Sequence, residues 1–338
     1  MTASPSTMNA VEIRHDSGHH ILSETRRPIP TPSAGEVLIR VGAAGVNGHD
    51  VHQIHNGGHP IRPGETDLPG LEVSGEIIAV GPDVSRWSVG DRVCALLRGG
   101  GYAEYAVAPA GNCLPAPEGL TWAEAAVLPE TFFTVWSNVL VDCDLKAGET
   151  FLMNGGTSGI GVAAIQIASA LGHRVFATAR GAEKARLCVE LGAERGIDYE
   201  SEDFAAVVLE ATDSKGVDVI LDIVGGDYLD QDLLAMAEGG RLVFIGAARG
   251  FTTQVDLRKI VRKRLTVGGS LLRPRPDAFK ARVAEALEDQ VWPHVRSGRI
   301  KPMLDRTYPL AEAARAIEDL EARRQIGKIA LIVSEDDA

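Results

Sequence analysis

The chain has 338 residues, which is more than one hydrophobic core usually serves, so two domains are expected. Its formal net charge of -12 argues against nucleic acid as a general partner, because an acidic surface repels a phosphate backbone. No apolar run approaches the roughly 20 residues of a membrane-spanning helix, and the four scattered cysteines contain no C-x-x-C pair, so the sequence predicts a cytoplasmic protein.

The first third of the chain reads as an all-β module. Short runs rich in Val, Ile and Ala follow one another, with Gly and Pro between them and few helical stretches. These runs are EVLIRVGAAGV (36–46), EVSGEIIAVG (72–81), DRVCALL (91–97) and YAEYAVA (102–108). The pattern predicts a partly open β-barrel.

The middle of the chain alternates strand-like and helix-like runs. The strand-like runs are ETFLMN (149–154), HRVFATA (173–179), GVDVILDIVGG (216–226), RLVFIGA (241–247) and RLTVGGSLL (264–272). The helix-like runs between them end at glycines, as in VAAIQIASALG (162–172) and DYLDQDLLAMAEGG (227–240). This alternation predicts βαβ units and a doubly wound parallel sheet, a Rossmann domain over residues 132–275.

The end of the chain is expected to return to the β module. Two helices are predicted, over residues 276–298 and 308–324, and the last strand is GKIALIV (327–333). Residues 1–131 and 276–338 therefore form the predicted barrel domain, and the fold class is α/β.

A glycine-rich loop, NGGTSGIG (154–161), lies between a predicted strand and a predicted helix. Glycines let the backbone approach a pyrophosphate, and the helix N-terminus offers free N–H groups and a positive dipole end. At the first turn of a series of βαβ units, the loop predicts a dinucleotide site.

The end of the second Rossmann strand indicates which dinucleotide binds. NAD sites usually place an acid about 20 residues past the glycines, but here the stretch carries Thr178, Arg180 and Lys184. A guanidinium can bind a 2′-phosphate through two hydrogen bonds, so NADPH is favoured over NADH. The alternative is that Arg180 and Lys184 are solvated charges at the start of a helix.

The glycine loop alone also fits the short-chain dehydrogenase pattern. That family places the loop near the N-terminus and follows it with a Y-x-x-x-K pair. Here the loop begins at residue 154, and none of the five tyrosines has a lysine four residues later, so this alternative is excluded.

Motifs along nearly the whole chain resemble the medium-chain dehydrogenase/reductase superfamily. GLEVSGEIIAVGPDV, VGDRVCALLRGGGYAEY, LPETFFTVW, GGTSGIGVAAIQIA and GKIAL resemble its zinc-free quinone oxidoreductase branch. CALLRGGGYAEY and GGSLLRPR are similar to the NADPH:quinone oxidoreductases related to a tumour-suppressor-induced human enzyme. The resemblance implies a GroES-like catalytic domain, a Rossmann domain and a homodimer paired through the nucleotide domains.

The resemblance also assigns residues to the predicted site. Asn47 is expected beside the nicotinamide, where its amide can bond the ribose or the carboxamide. The other implied cofactor contacts are Thr134 at the nicotinamide; Gly156, Thr157, Ser158, Gly159 and Ile160 at the pyrophosphate; Arg180, Lys184 and Tyr199 at the adenosine phosphate; Val224, Phe244, Gly246, Ser270, Leu271 and Leu272 at the nicotinamide half; and Lys328 in the cleft. Val224, Phe244 and Leu271 are also compatible with core positions.

Four histidines cluster within residues 45–59, namely His49, His52, His55 and His59, and imidazole is a common metal ligand. In zinc members of the superfamily, however, a Cys and a His ligand occupy the positions of Asn47 and Leu71. At their i, i+3, i+6 spacing, His49, His52 and His55 would also lie around a helix rather than along one of its faces. We therefore expect no metal, with the histidines on an exposed helix or loop.

The sequence therefore predicts NADPH-dependent reduction of quinones by direct hydride transfer without a metal. Tyr102 and His59 are the candidate substrate contacts or proton donors, although hydroquinone oxygens can also take protons from solvent. One alternative is a reductase of α,β-unsaturated aldehydes or ketones, which uses the same hydride. The other is a non-catalytic NADPH-binding protein.

Overall fold

The computed structural model describes residues 6–16, 19–58 and 65–334. The chain divides into two compact units. The first contains Met1–Phe133, Pro276–Trp292 and Pro302–Ala338, and the second contains Thr134–Arg275 and Pro293–Lys301. Residues 293–301, assigned by sequence to the barrel domain, thus belong to the second unit.

The regular elements alternate between strands and helices over most of the described chain. The strands are β1 (Thr7–Asp16), β2 (His19–Pro28), β3 (Glu36–Val46), β4 (Glu72–Val80), β5 (Arg92–Leu96), β6 (Tyr105–Pro109), β7 (Cys113–Pro115), β8 (Thr150–Asn154), β9 (Arg174–Ala179), β10 (Arg195–Asp198), β11 (Val217–Asp222), β12 (Met236–Phe244), β13 (Thr266–Gly269), β14 (Leu304–Pro309) and β15 (Lys328–Ile332). The α-helices are α1 (Gly48–His55), α2 (Trp122–Ala126), α3 (Pro129–Val135), α4 (Gly159–Ala170), α5 (Gly181–Glu190), α6 (Phe204–Ala211), α7 (Tyr228–Ala235), α8 (Leu257–Lys263), α9 (Asp277–Gln290), α10 (Trp292–Arg296) and α11 (Ala313–Glu321). No helix within the described ranges is long and apolar enough to cross a membrane.

The first unit is built around strand β3. Seven strands form its main sheet in the order β14-β15-β3-β4-β5-β7, with β6 also on β3, and β1 and β2 form a separate antiparallel hairpin. The first half of β3 pairs with β6 and its end pairs with β15, while β4 pairs along its length. The pairing of Val46 with Ile329 brings the end of β3 next to Lys328 at the start of β15.

The second unit is a six-stranded parallel sheet in the order β10-β9-β8-β11-β12-β13. Counted along the chain, this is the 3-2-1-4-5-6 order of a doubly wound nucleotide-binding fold. The order reverses between β8 and β11, and ligands of such sheets bind at the carboxyl ends of the strands on either side of that point. The predicted fold class is confirmed.

The central strands of the second unit explain its apolar runs. Phe151, Leu152 and Met153 on β8, and Phe176 on β9, are all fully buried. A parallel strand with helices on both sheet faces has no solvent face, so its residues do not alternate.

Three predicted helices differ from the structure. The helix predicted over 308–324 is shorter, because Tyr308 and Pro309 belong to β14 and α11 covers Ala313–Glu321. The run 276–298 is split into α9 and α10, because Pro293 has no N–H to donate to a carbonyl one turn earlier. Helix α7 ends at Ala235 and β12 begins at Met236, which pairs with Val217 of β11. Sheet pairing therefore overrides the helical pattern that the sequence extends to Gly240. The elements that were not predicted are β1, β2, β7, β10, β14, α2, α3, α6 and α8.

Candidate active site

The glycine loop joins β8 to α4 in the second unit. Ser158 precedes the helix and its Oγ accepts a hydrogen bond of 2.9 Å from the Gly161 amide. A Cβ at Gly161 would lie 2.3 Å from the Gly155 carbonyl oxygen, so only glycine fits there. The amides of Gly159 and Ile160, in the first helical turn, have no acceptor within the helix. Together with half-buried Thr157 and buried Gly156, they make a cradle that suits a pyrophosphate.

A buried polar network forms hydrogen bonds with the backbone of this loop. Thr178 Oγ1 accepts a hydrogen bond of 3.2 Å from the Gly155 amide and donates one of 3.1 Å to Asn154 Oδ1. The Thr178 carbonyl oxygen accepts another, of 2.8 Å, from the Gly156 amide. Thr178 has no exposed surface, so in this structure its side chain holds the loop.

Two buried carboxyl groups continue the network at the switch point of the sheet. Asn154 Nδ2 donates 2.7 Å to Asp232 Oδ1, and Asp222 accepts from the amides of Val224 at 2.5 Å and Gly225 at 3.0 Å. Burial, and then the adjacent charge of Asp222, raises the pKa of Asp232 well above its ordinary value. Burial also raises the pKa of Asp222, so the environment favours a protonated carboxyl group in this pair.

Arg180 and Tyr199 meet just beyond the end of β9. The Arg180 Nε donates 3.2 Å to the Tyr199 hydroxyl, and Glu200 Oε1 lies 3.4 Å from the same nitrogen. The Arg180 side chain is 70% exposed, and Lys184 lies half-buried in the first part of α5. An exposed guanidinium beside a phenol suits a phosphate monoester, although Glu200 opposes the anion.

The remaining predicted cofactor residues of this unit lie near strand ends. Val224 follows β11, Gly246 follows β12, and Ser270 follows β13, where its amide donates 3.0 Å to the Phe244 carbonyl oxygen. Leu272 is buried and Leu271 is 71% exposed. The core alternative for Leu271 is therefore wrong, while Val224 and Phe244 pack partly against the core of this unit.

Asn47 lies in the first unit between β3 and α1, and its side-chain amide is held by neighbours. Its Nδ2 donates 2.9 Å to Glu72 Oε1 and has a longer contact of 3.4 Å with the Gly45 carbonyl oxygen. Its Oδ1 accepts a short hydrogen bond from Lys328 Nζ. Asn47 is only 7% exposed, so these neighbours fix the orientation of its amide.

Lys328 and Glu72 form the charged centre of this network. Lys328 Nζ contacts three acceptors, since it also lies 2.9 Å from the Val46 carbonyl oxygen and 2.7 Å from Glu72 Oε1. An ammonium group has three N–H donors, so Lys328 orients Asn47 and Glu72. Glu72 has no exposed surface, and Gly45 leaves room for it: a Cβ at Gly45 would lie 2.2 Å from its Oε1.

Asp50 and Tyr102 form a second buried pair beside Asn47. Asp50 Oδ2 accepts hydrogen bonds of 2.8 Å from both the Asn47 backbone N–H and the Tyr102 hydroxyl, while its Oδ1 has no hydrogen-bond partner. Burial raises the pKa of Asp50 to about 6, against the opposing effect of Tyr102. Burial and the Asp50 charge raise the pKa of Tyr102 well above its ordinary value.

The histidines do not converge. His49, His52 and His55 lie on α1, where His52 and His55 are exposed and His55 contacts Glu321. His59 lies outside the described residues. Within the described ranges, no group of three or more His, Cys, Asp or Glu side chains is arranged to hold a metal ion.

Sequence reasoning missed the acidic partners of these networks: Asp50, Glu72, Glu130, Asp222 and Asp232. Three of them have a signal in the sequence that could have been used. Glu72 begins β4 and Asp222 ends β11, and both strands are largely buried, so an acid there is costly unless it is hydrogen-bonded. Asp50 lies three residues after Asn47, the spacing at which a helix-capping acid binds the amide before the helix.

Family models match both units of the chain. The model described as "Alcohol dehydrogenase GroES-like domain" matches residues 33–118, and the one described as "Zinc-binding dehydrogenase" matches residues 159–289. The quinone oxidoreductase of Sus scrofa is 31% identical over 336 residues, covering 98% of this chain and all of the relative. This chain belongs to the medium-chain dehydrogenase/reductase superfamily.

Further comparisons agree with this assignment to the superfamily. A quinone oxidoreductase of Pseudomonas aeruginosa is 36% identical over 307 residues, covering 89% of this chain and 92% of the relative. A solved NAD-dependent alcohol dehydrogenase matches with a TM-score of 0.84 and 31% identity, covering 97% of this chain and 100% of that one. A mycobacterial protein solved in complex with NADPH matches with a TM-score of 0.83 and 32% identity, covering 96% and 100%.

Proposed function

We propose that this oxidoreductase reduces quinones with NADPH by direct hydride transfer, without a metal ion. The observation that carries the proposal is the contact between Lys328 Nζ and Asn47 Oδ1. At the position where zinc relatives have a thiolate ligand, this chain has a neutral amide already bonded to an internal ammonium group. The curated relatives named quinone oxidoreductase support the choice of substrate class.

NADPH is the proposed cofactor because the glycine loop fits its pyrophosphate and the end of β9 fits its 2′-phosphate. Gly156 to Ile160 would hold the pyrophosphate, and Arg180, Lys184 and Tyr199 would bind the adenosine phosphate. A relative solved with NADPH supports this choice, whereas another is named NAD-dependent. When bound, NADPH supplies the hydride; the protein supplies binding and orientation.

Asn47 is proposed to orient the nicotinamide half through its side-chain amide, which can form a hydrogen bond with the ribose or the carboxamide. Lys328 and Glu72 would fix the amide in that orientation, so little conformational entropy is lost on binding. Thr134, Val224, Phe244, Gly246 and residues 270–272 remain proposed contacts of the same half.

Other features stay predictions from the sequence. These are the narrower resemblance to the tumour-suppressor-induced branch, the homodimer and the cytoplasmic location. His59 also remains a proposed substrate contact.

The experiment is an acceptor comparison with the purified chain. NADPH oxidation is followed with 1,4-benzoquinone and with an α,β-unsaturated aldehyde, before and after dialysis against a metal chelator. We expect hydroquinone as the product, a preference for the quinone and no loss after chelation. A clear preference for the aldehyde would show the alternative reductase, and tight NADPH binding with neither acceptor reduced would show a non-catalytic protein.

A further inference from the structure

Three acids and one lysine gather around Asn47 in the first unit. Asp50 and Glu72 have no exposed surface, and their carboxylates accept hydrogen bonds from fixed donors. Glu130, the second residue of α3, differs from both. Its backbone amide donates 2.8 Å to Glu72 Oε2, but its half-buried carboxyl group forms no hydrogen bond with any described residue.

We propose that Glu130 is a catalytic acid that gives a proton to the quinone during the reduction proposed above, on which this inference rests. The hydride carries one hydrogen and two electrons to the quinone, and NADPH is oxidised to NADP⁺. The product of this transfer is the hydroquinone anion, which needs one proton to become hydroquinone. The O–H bond of the Glu130 carboxylic acid breaks, an O–H bond forms on the hydroquinone, and the carboxylate takes a proton from water.

Charges of both signs surround Glu130. Glu72 on β4 and Asp50 on α1 favour its protonated form, whereas Lys328 on β15 and Lys280 on α9 favour its carboxylate. Burial, followed by the negative charge of Glu72, raises the pKa of Glu130 to about 7, against the opposing effect of Lys328. A general acid works best when its pKa lies near the working pH, which this value satisfies.

The other acids nearby are less suited to the role. The Tyr102 hydroxyl is fully buried and already donates its proton to Asp50. Asp50 is fully buried as well, so neither group can touch a ligand without a rearrangement. Glu130 combines partial exposure with direct attachment, through its amide, to the Glu72–Asn47 pair.

The test compares the wild-type chain with Glu130→Gln and Glu130→Asp, with Glu118→Gln as the control. Glu118 is an exposed acid of the same unit without a described partner. We expect Glu130→Gln to lower kcat for benzoquinone by about 10²-fold and to abolish the fall in rate above neutral pH. Glu130→Asp should retain the pH dependence at a lower rate, and Glu118→Gln should match the wild type. NADPH affinity, measured by fluorescence, should change less than about twofold in every variant, because the dinucleotide cradle is elsewhere.

A second readout does not need turnover. The infrared difference between the cofactor-free wild type and Glu130→Gln should show a protonated carboxyl band that disappears as the pH rises through about 7. Absence of this band at pH 6 to 7 would overturn the proposal, as would an active wild type whose Glu130→Gln variant keeps both rate and pH profile. A wild type that reduces no quinone would instead overturn the proposed function, and with it the role of Glu130 as a proton donor.

Discussion

The hydroxyl of Tyr102 donates a hydrogen bond of 2.8 Å to Oδ2 of Asp50, and neither residue has any exposed surface. The same oxygen accepts a hydrogen bond from the backbone N–H of Asn47. Tyr102 is therefore linked through one carboxylate to the residue proposed to orient the nicotinamide. A phenol in this position acts as a fixed donor to a buried anion. We therefore expect Tyr102 to position other groups, and the alternative that it contacts the substrate or gives it a proton can be tested directly.

Tyr102→Phe should destabilise the protein by about 1–3 kcal/mol, because Asp50 loses a buried donor. Urea unfolding at neutral pH measures this loss. The kcat for quinone reduction should change little, and Tyr105→Phe, whose hydroxyl has no described hydrogen bond, is the control. A large fall in kcat with unchanged stability would restore Tyr102 as a proton donor.

Asp50→Asn should flatten the pH dependence of stability in weak acid. Burial raises the folded-state pKa of Asp50 to about 6, above its ordinary value of 3.8. The stability it contributes is therefore complete at low pH and is lost as the pH rises to about 6, by an amount on the order of 3 kcal/mol. Asparagine cannot ionise, so the variant should not show this loss.

The measurement is the free energy of unfolding of both proteins from pH 4 to pH 7. The difference between them should change in favour of the variant up to about pH 6 and then level off. A constant offset would mean that Asp50 does not titrate there, whatever the absolute cost of the substitution.

The sequence was sufficient where a single segment carries the information. The run 36–46 is strand β3 with the same ends, and NGGTSGIG forms the turn between β8 and α4 as predicted. In both cases, local spacing of apolar residues and glycines determines the element.

The sequence was insufficient where distant segments converge. Lys328 contacts Asn47 although 281 residues separate them, and the register of β15 on β3 creates that contact. The burial of Asp50 likewise depends on Tyr102, 52 residues away. No periodicity within one element reports such a network, so its acids could be found only once the sheet had been assembled.

Arg180→Ala should weaken NADPH binding by about tenfold and NADH binding much less. The 2′-phosphate of NADPH would lose a charge-assisted hydrogen bond from the guanidinium, worth roughly 1.5 kcal/mol. NADH has no 2′-phosphate, so it would not lose this bond. Fluorescence titration with both dinucleotides measures the two affinities. Arg186→Ala removes another exposed arginine, which pairs with Glu190, and should affect neither. Equal weakening of both cofactors by Arg180→Ala would contradict recognition of the phosphate.

Asp232→Asn should stabilise the second unit at neutral and alkaline pH. Burial raises the folded-state pKa of Asp232 well above its unfolded value, so its stabilising contribution is complete in acid and lost as the pH rises through that folded-state pKa. Asparagine reproduces the protonated acid, because its Oδ1 can accept from Asn154 and its Nδ2 can donate to Asp222. The free energy of unfolding of the variant should match that of the wild type at pH 4 and exceed it at pH 8.

Asp222→Asn is the matched control for this prediction. It removes one of the two acceptor oxygens that bind the Val224 and Gly225 amides, so it should destabilise the unit at every pH. Denaturant unfolding of all three proteins at pH 4 and pH 8 distinguishes the two effects. If Asp232→Asn lost stability at pH 8, Asp232 would have to be ionised there, and the pair would not share a proton.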